Sequence, residues 1–182
     1  KEEDLYSYGT LAQVLKVFDM PDNSKSAIVQ GISRIKILKY IKRDPYFCAA
    51  VKSINDEAIK DSIKIDSLAS KLRQSFEDLM KVAPNLTEEH SGMLKNIQKL
   101  NRLADRAISV ISIPNKEKQQ ILEELNIGER AEKAINLISQ EIQRIKLGDE
   151  IQSEVHDEIT KTQREYYLRE QMKAIKKELG ED

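Results

Sequence analysis

No proline follows Pro114 in this 182-residue sequence, and from Gly128 to Leu179 the chain reads as one helix. Ile151, Val155, Ile159, Thr162 and Tyr166 step by 4, 4, 3 and 4. That is a helical period with a stripe as narrow as a coiled-coil seam. Glu165 stands four residues before Arg169, and Glu170 three before Lys173, the favourable order for ion pairs along a helix face. Gly180 falls where a helix C-cap would sit, and Lys176 and Lys177 suit the negative end of the helix dipole. At 1.5 Å per residue such a helix runs about 75–80 Å, longer than a small globular body can flank. Gly148 is its weak point, because a mid-helix glycine costs roughly 1 kcal/mol against alanine. Continuity is expected, with any bend placed at Gly148-Asp149. Beyond Ile151 the stripe is too narrow to bury a full face, so this part is expected to project as an arm.

Upstream the pattern changes twice. Thr10–Phe18 is rich in β-branched and apolar residues and reads as a strand, closed by the turn Asp19-Met20-Pro21-Asp22-Asn23-Ser24. Ser26–Gln30 and Ser33–Leu38 read as two further strands punctuated by Gly31, with Ile35 and Ile37 alternating against Arg34 and Lys36. Asp44-Pro45 marks a break before a fourth strand over Tyr46–Ile54. These strands form a small antiparallel sheet with few apolar positions, so the chain is expected to be a fragment lacking the first part of its β lobe.

From about Asp56 the period is helical. Ile65, Leu68, Leu72, Phe76 and Leu79 line an amphipathic helix that Ala83-Pro84-Asn85 stops. Thr87 is an expected N-cap, and Leu94, Ile97 and Leu100 form the core side of a short second helix. Leu103-Ala104-Asp105 opens a third, and Asn115 is expected to cap a fourth. Ala131, Ala134, Ile135, Ile138 and Ile142 give the start of the long helix a wider stripe that packs on the others. The fold class is therefore α+β: a partial antiparallel β lobe over 1–55, a helical bundle over 56–127, and a long helix over 128–182.

Chemistry is sparse. There is no Gly-x-x-x-x-Gly-Lys phosphate loop and no Gly-x-Ser-x-Gly elbow. His90 and His156 lie far apart without Cys or a second His at ligand spacing, so no metal site is expected, nor any catalytic or cofactor-binding residue. The single Cys48 excludes an internal disulfide framework, fits a reducing compartment, and reads as a small core residue. The formal net charge of −1 gives no global field toward nucleic acid or membrane, and no run approaches the length of a membrane-spanning helix. Arg34, Lys36, Lys39, Lys42 and Arg43 form one basic cluster with Tyr40 interleaved. A solvated strand edge explains it better than a nucleic-acid interface.

The terminal run Gln163-Arg164-Glu165-Tyr166-Tyr167-Leu168-Arg169-Glu170-Gln171 through Lys176-Lys177-Glu178-Leu179-Gly180-Glu181 resembles the segment preceding the ATPase module in Lon proteases. Val29-Gln30-Gly31-Ile32-Ser33-Arg34, Leu103-Ala104-Asp105, Lys118-Gln119-Gln120-Ile121-Leu122-Glu123 and Glu129-Arg130 resemble successive segments of the same family in the same order. The resemblance implies a PUA-like β lobe, and a parent that is an ATP-dependent serine protease acting as a homohexamer on misfolded and short-lived regulatory proteins. ATP and Mg would serve that parent's AAA+ ATPase module, and its Ser-Lys dyad lies beyond this sequence. The chain would then be a substrate-recognition and assembly domain, with a bacterial cytoplasm the default compartment and an organelle left open. Tyr166, Tyr167, Leu168 and Met172 are the residues expected to face a client or a neighbouring arm. A non-enzymatic coiled-coil scaffold and an RNA-binding module built on the β lobe remain the alternatives.

Overall fold

The structure, a computed structural model, describes residues 2–179, so the expected cap at Gly180 lies outside the described residues. After a short 3-10 turn at Glu2–Asp4, three strands follow: β1 (Tyr8–Asp19), β2 (Lys25–Lys42) and β3 (Cys48–Ile54). They form one antiparallel sheet in the order β1-β2-β3. Five helices complete the fold: α1 (Ser62–Met80), α2 (Glu88–Lys95), α3 (Leu100–Val110), α4 (Asn115–Glu123) and α5 (Ile127–Leu179).

The two strands expected on either side of Gly31 are one strand. β2 runs through Gly31, which pairs with Ala12 where the β1–β2 register shifts between Leu11 and Ala12. Glycine here marks a bulge and not a turn. A Cβ at position 31 would stand 3.3 Å from Thr10 Cγ2, a tight approach that glycine avoids. The β1–β2 turn is closed by the Asp22 carboxylate, which accepts from Ser24 N–H at 3.0 Å and from the Ser24 hydroxyl at 2.6 Å. Asn23 takes the left-handed conformation with φ 62°, which a short amide side chain tolerates.

Every fully buried residue among those described lies at Leu68 or later. The core is made by α1, α3 and the root of α5, through Leu72, Phe76, Leu79, Leu103, Ala107 and Ile138. The small residues Ala104, Ala131 and Ala134, all fully buried, let these helices approach closely. Burial at about 1.5–3 kcal/mol for each large apolar side chain makes this bundle the stable part of the chain. The sheet buries none of its own residues, and Cys48, expected in a core, is only half-buried on β3.

Helix ends follow local chemistry. Asp61 caps α1 by accepting from Lys64 N–H at 3.1 Å. Thr87 is the N-cap of α2, and His90 completes a capping box by accepting from Thr87 N–H on Nδ1 at 3.2 Å. Leu100, expected on the second helix, opens α3, and Ile97 lies in the connection. Asn115 does not cap α4: Pro114 holds the cap position, and Asn115 is the first helical residue. The Asn126 side chain caps α5, accepting from Gly128 N–H at 2.9 Å and Glu129 N–H at 3.2 Å. From there α5 runs unbroken through Gly148 for 53 residues, about 80 Å. Its last buried residue is Ile138, Ile142 and Ile145 still touch the bundle, and from Lys146 onward every described residue is exposed.

Candidate functional site

Two features could serve a function: a charged joint that ties the sheet, the bundle and the arm together, and the apolar surfaces that the sheet and the arm leave bare.

The joint begins with Arg34 on β2, whose side chain turns from the sheet into the bundle and is 12% exposed. Its Nε donates to the Leu122 carbonyl at 3.0 Å, and its guanidinium pairs with Asp56 at 3.1 Å and Asp105 at 2.5 Å. Arg130, on the first turn of α5, is fully buried and donates to the Glu124 carbonyl at 2.8 Å and to Asp56. Asn101 on α3 donates to the other Asp56 oxygen at 2.7 Å. Asp56 is therefore held at once by the sheet, by α3 and by the arm root. The backbone adds a splice: Glu57 N–H donates to the Leu125 carbonyl at 2.8 Å, and Ile127 N–H to the Glu57 carbonyl at 3.2 Å. On the far side Gln119 of α4 donates to the Tyr8 carbonyl of β1 at 3.0 Å.

The two carboxylates titrate in opposite directions. Burial pushes Asp56 up, but hydrogen bonds from Arg130 and Asn101 and the nearby guanidinium charges outweigh it, and its pKa is lowered. For Asp105 burial is the larger effect, and its pKa is raised despite Arg34 and Arg130. A cleft of about 810 Å³ opens beside this joint, lined by Ile32, Arg34, Asn101, Asp105, Lys118 and Ile121 among others. Its Arg34, Asp56, Asp105 and Lys118 are partnered within the protein, the mark of a structural joint more than of a reaction centre. Among the described residues no group of His, Cys, Asp or Glu is placed to hold a metal ion.

The basic cluster does not form the expected solvated edge. β2 is the middle strand, and Arg34 is consumed by the joint. Lys36 lies over the Tyr8 ring at 5.1 Å and Lys42 over Tyr46 at 5.5 Å. With Arg34 withdrawn, the cluster loses the continuous cationic face that phosphate binding needs.

The bare surfaces are apolar. On the sheet Leu15, Val29, Ile32, Leu38 and Ile41 are each more than half exposed. On the arm Tyr166, Tyr167, Leu168 and Met172 are 68%, 62%, 52% and 60% exposed. These four do not share one face. Leu168 and Met172 stand i,i+4 on one side, with Ile175 and Leu179 continuing their line; Tyr166 and Tyr167 point elsewhere on the helix. Tyr167 accepts on its hydroxyl from the Gln171 amide at 2.9 Å. Of the two ion pairs expected along the arm, Glu170–Lys173 forms at 3.9 Å. His156 lies exposed on the arm, and His90 is occupied by its cap.

Sequence reasoning missed the joint. The signal that could have found it is Arg130, which occupies a core-facing place in the series Ile127, Arg130, Ala134, Ile138. A charge on the buried face of an amphipathic helix demands a partner.

No helix of the described residues is long and apolar enough to cross a membrane. The family model for the ATP-dependent protease La (LON) substrate-binding domain matches residues 1–140. The Lon protease of Anaeromyxobacter dehalogenans is 35% identical over 177 residues, covering 97% of this chain and 21% of that protein. The Lon protease of Dictyoglomus thermophilum is 36% identical over 179 residues, covering 98% and 22%. The chain thus spans about a fifth of the length of the curated relatives it matches. Among solved structures, the N-terminal domain of Mycobacterium avium complex Lon protease shares the fold with a TM-score of 0.63 at 22% identity, over 75% of this chain and 72% of that one. The Lon N-terminal domain protein of Xanthomonas campestris aligns with a TM-score of 0.51 at 13% identity, over 75% and 70%.

Proposed function

This chain belongs to the Lon protease family, in its amino-terminal substrate-binding domain, and from that premise we propose that it selects and hands on protein clients for a larger ATP-dependent serine protease. The observation that carries the reading is the bare apolar surface of sheet and arm, set on a body with its own closed core. Segments that a folded protein hides are apolar, and exposed apolar surface of this extent is what captures them. A folded protein offers no such segments, so discrimination needs no sequence motif.

Three units divide the work. The β lobe and the bundle form the body, and α5 (Ile127–Leu179) is the arm. The arm carries the client toward an ATPase module that binds ATP and Mg, and Tyr166, Tyr167, Leu168 and Met172 are its contact residues. Tyrosine and methionine suit that task, being amphipathic or adaptable in contact. The parent assembles as a homohexamer and works in the bacterial cytoplasm.

The test is binding of the chain to a permanently unfolded protein and to the same protein folded, at low and at moderate salt. A preference for the unfolded form that salt leaves nearly unchanged supports apolar capture. Equal binding to both forms contradicts it.

A further inference from the structure

β2 outruns the strand beside it. β3 pairs with β2 only from Arg34 to Lys42, and Ile54, opposite Arg34, is its last residue. The chain then leaves the sheet, because Asp56 is drawn to Asn101 and Arg130 in the joint. β2 therefore keeps an uncovered edge over Lys25–Ser33, with β1 on its other side. Alternate backbone groups along such an edge lack ladder partners, and edges are guarded by charge or proline where pairing must be prevented. Here the stretch holds no proline, and Lys25, at its far end, is its only charge. The edge is open to a further strand.

That edge runs into the cleft of about 810 Å³ beside the joint, whose sheet wall includes Gly31, Ile32 and Ser33. The volume is that of a ligand site, which spans about 300–1,000 Å³. Asn101, Asp105 and Ile108 of α3 line the other wall at the spacing of one helix face. Ile32, Ile54 and Leu122 give the cleft apolar surface, backed by the core residues Ile108 and Ile121. Its charges do not cancel. Arg34 and Arg130 balance Asp56 and Asp105. Lys118, held by the Ser109 carbonyl at 3.3 Å, keeps its charge, and so does Arg102. Arg102 is exposed, and its guanidinium has no hydrogen-bond or ion-pair partner among the described residues. The cleft thus combines an open strand edge, an apolar lining and a surplus of positive charge.

We propose that this cleft takes an extended segment of an unfolded client as an added strand on the open edge of β2, in line with β3, with an acidic side chain of the segment on Arg102. The proposal rests on the client reading above and gives it a place and a chemistry. Pairing along the main chain supplies affinity without a sequence motif, and side chains of the added strand alternate between cleft and solvent. The favoured segments are therefore apolar at every second residue, with one carboxylate among the residues turned to the cleft. A folded protein has its own main chain already paired and cannot offer it.

The test is fluorescence anisotropy of the full chain with a short labelled peptide in which Val alternates with Ser and one Val is replaced by Glu. N-methylation of one alternate set of peptide amides should weaken binding roughly tenfold, and methylation of the other set should leave it unchanged, the signature of pairing along a single edge. Arg102→Glu, at an exposed side chain that ties nothing in the fold, should weaken the peptide about fivefold. A peptide with Lys in place of its Glu should recover binding to that variant. Equal loss from both methylated sets, loss from neither, or a peptide indifferent to Arg102→Glu overturns the proposal. If the peptide does not bind while an unfolded protein still does, the cleft falls and the client reading stands; if neither binds, both fall. A chain that self-associates by sedimentation, and that the peptide fails to separate, assigns the edge to a second copy and overturns the proposal as well.

Discussion

Asp56 is the residue on which the relative placement of sheet, bundle and arm depends, because Arg34, Asn101 and Arg130 all converge on it. Removing one partner of a buried pair leaves the other uncompensated, which costs more than the pair was worth. Asp56→Ala is expected to lose about 3–5 kcal/mol in urea unfolding at neutral pH. An exposed pair such as Lys25–Asp19 should lose less than about 1 kcal/mol on removal of either partner. The pH dependence has a definite sign. Because its folded pKa is lowered, Asp56 contributes stability above the ordinary carboxylate range, and that is lost as pH falls through its folded value. Asp105 is the reverse: its pKa is raised, so its contribution is present at low pH and is lost as pH rises through its folded value. Unfolding midpoints from neutral to acid pH should therefore decline less steeply in Asp56→Asn than in the parent, and more steeply in Asp105→Asn. Identical slopes in all three would remove the joint from the account of acid stability. Little of this was legible beforehand. Arg34 read as one member of a basic run, and only its turn into the bundle, 71 residues away in sequence from Asp105, gives it partners.

At the scale of elements, local pattern spoke clearly wherever a helix buries one face. Leu68, Leu72, Phe76 and Leu79 are buried on α1, as their spacing implies. Leu72→Ala should cost about 3–5 kcal/mol, since the site is fully enclosed and collapses poorly. The same change at the exposed Ile63 should be near neutral, and denaturant midpoints of the two variants check both. The sheet was harder to read, because a glycine in a strand and a glycine in a turn look alike in sequence; pairing across Ala12 decided for the strand. The arm was legible as a helix because nothing in it breaks one. Gly148 lies inside α5 with nothing within 4 Å of an added Cβ. Gly148→Ala should stabilise the arm by roughly 0.5–1 kcal/mol, seen as slower amide exchange from about Lys146 onward. Unchanged or faster exchange would mean that the arm is held by something other than its own helix.

On the scale of the molecule, one end is closed and the other open. The bundle encloses a continuous core from α1, α3 and the root of α5. The sheet and the arm keep their apolar residues in solvent, and a charged joint holds the sheet at a fixed place against the arm root. Such a division suits a part that must present apolar surface without unfolding itself. The family was legible from the order of short segments and from the terminal run, and the exposed arm residues Tyr166, Tyr167, Leu168 and Met172 were named from the same run, whereas the bare apolar surface of the sheet emerged only from which residues the fold leaves uncovered. The most direct measurement of the central claim is fluorescence anisotropy of a permanently unfolded protein titrated with this chain, beside the same protein held folded. The account predicts binding of the unfolded form alone, nearly unchanged between low and moderate salt and weakened at least several-fold by the paired change Leu168→Ser with Met172→Ser. Equal affinity for both forms, or binding that salt abolishes, would contradict it.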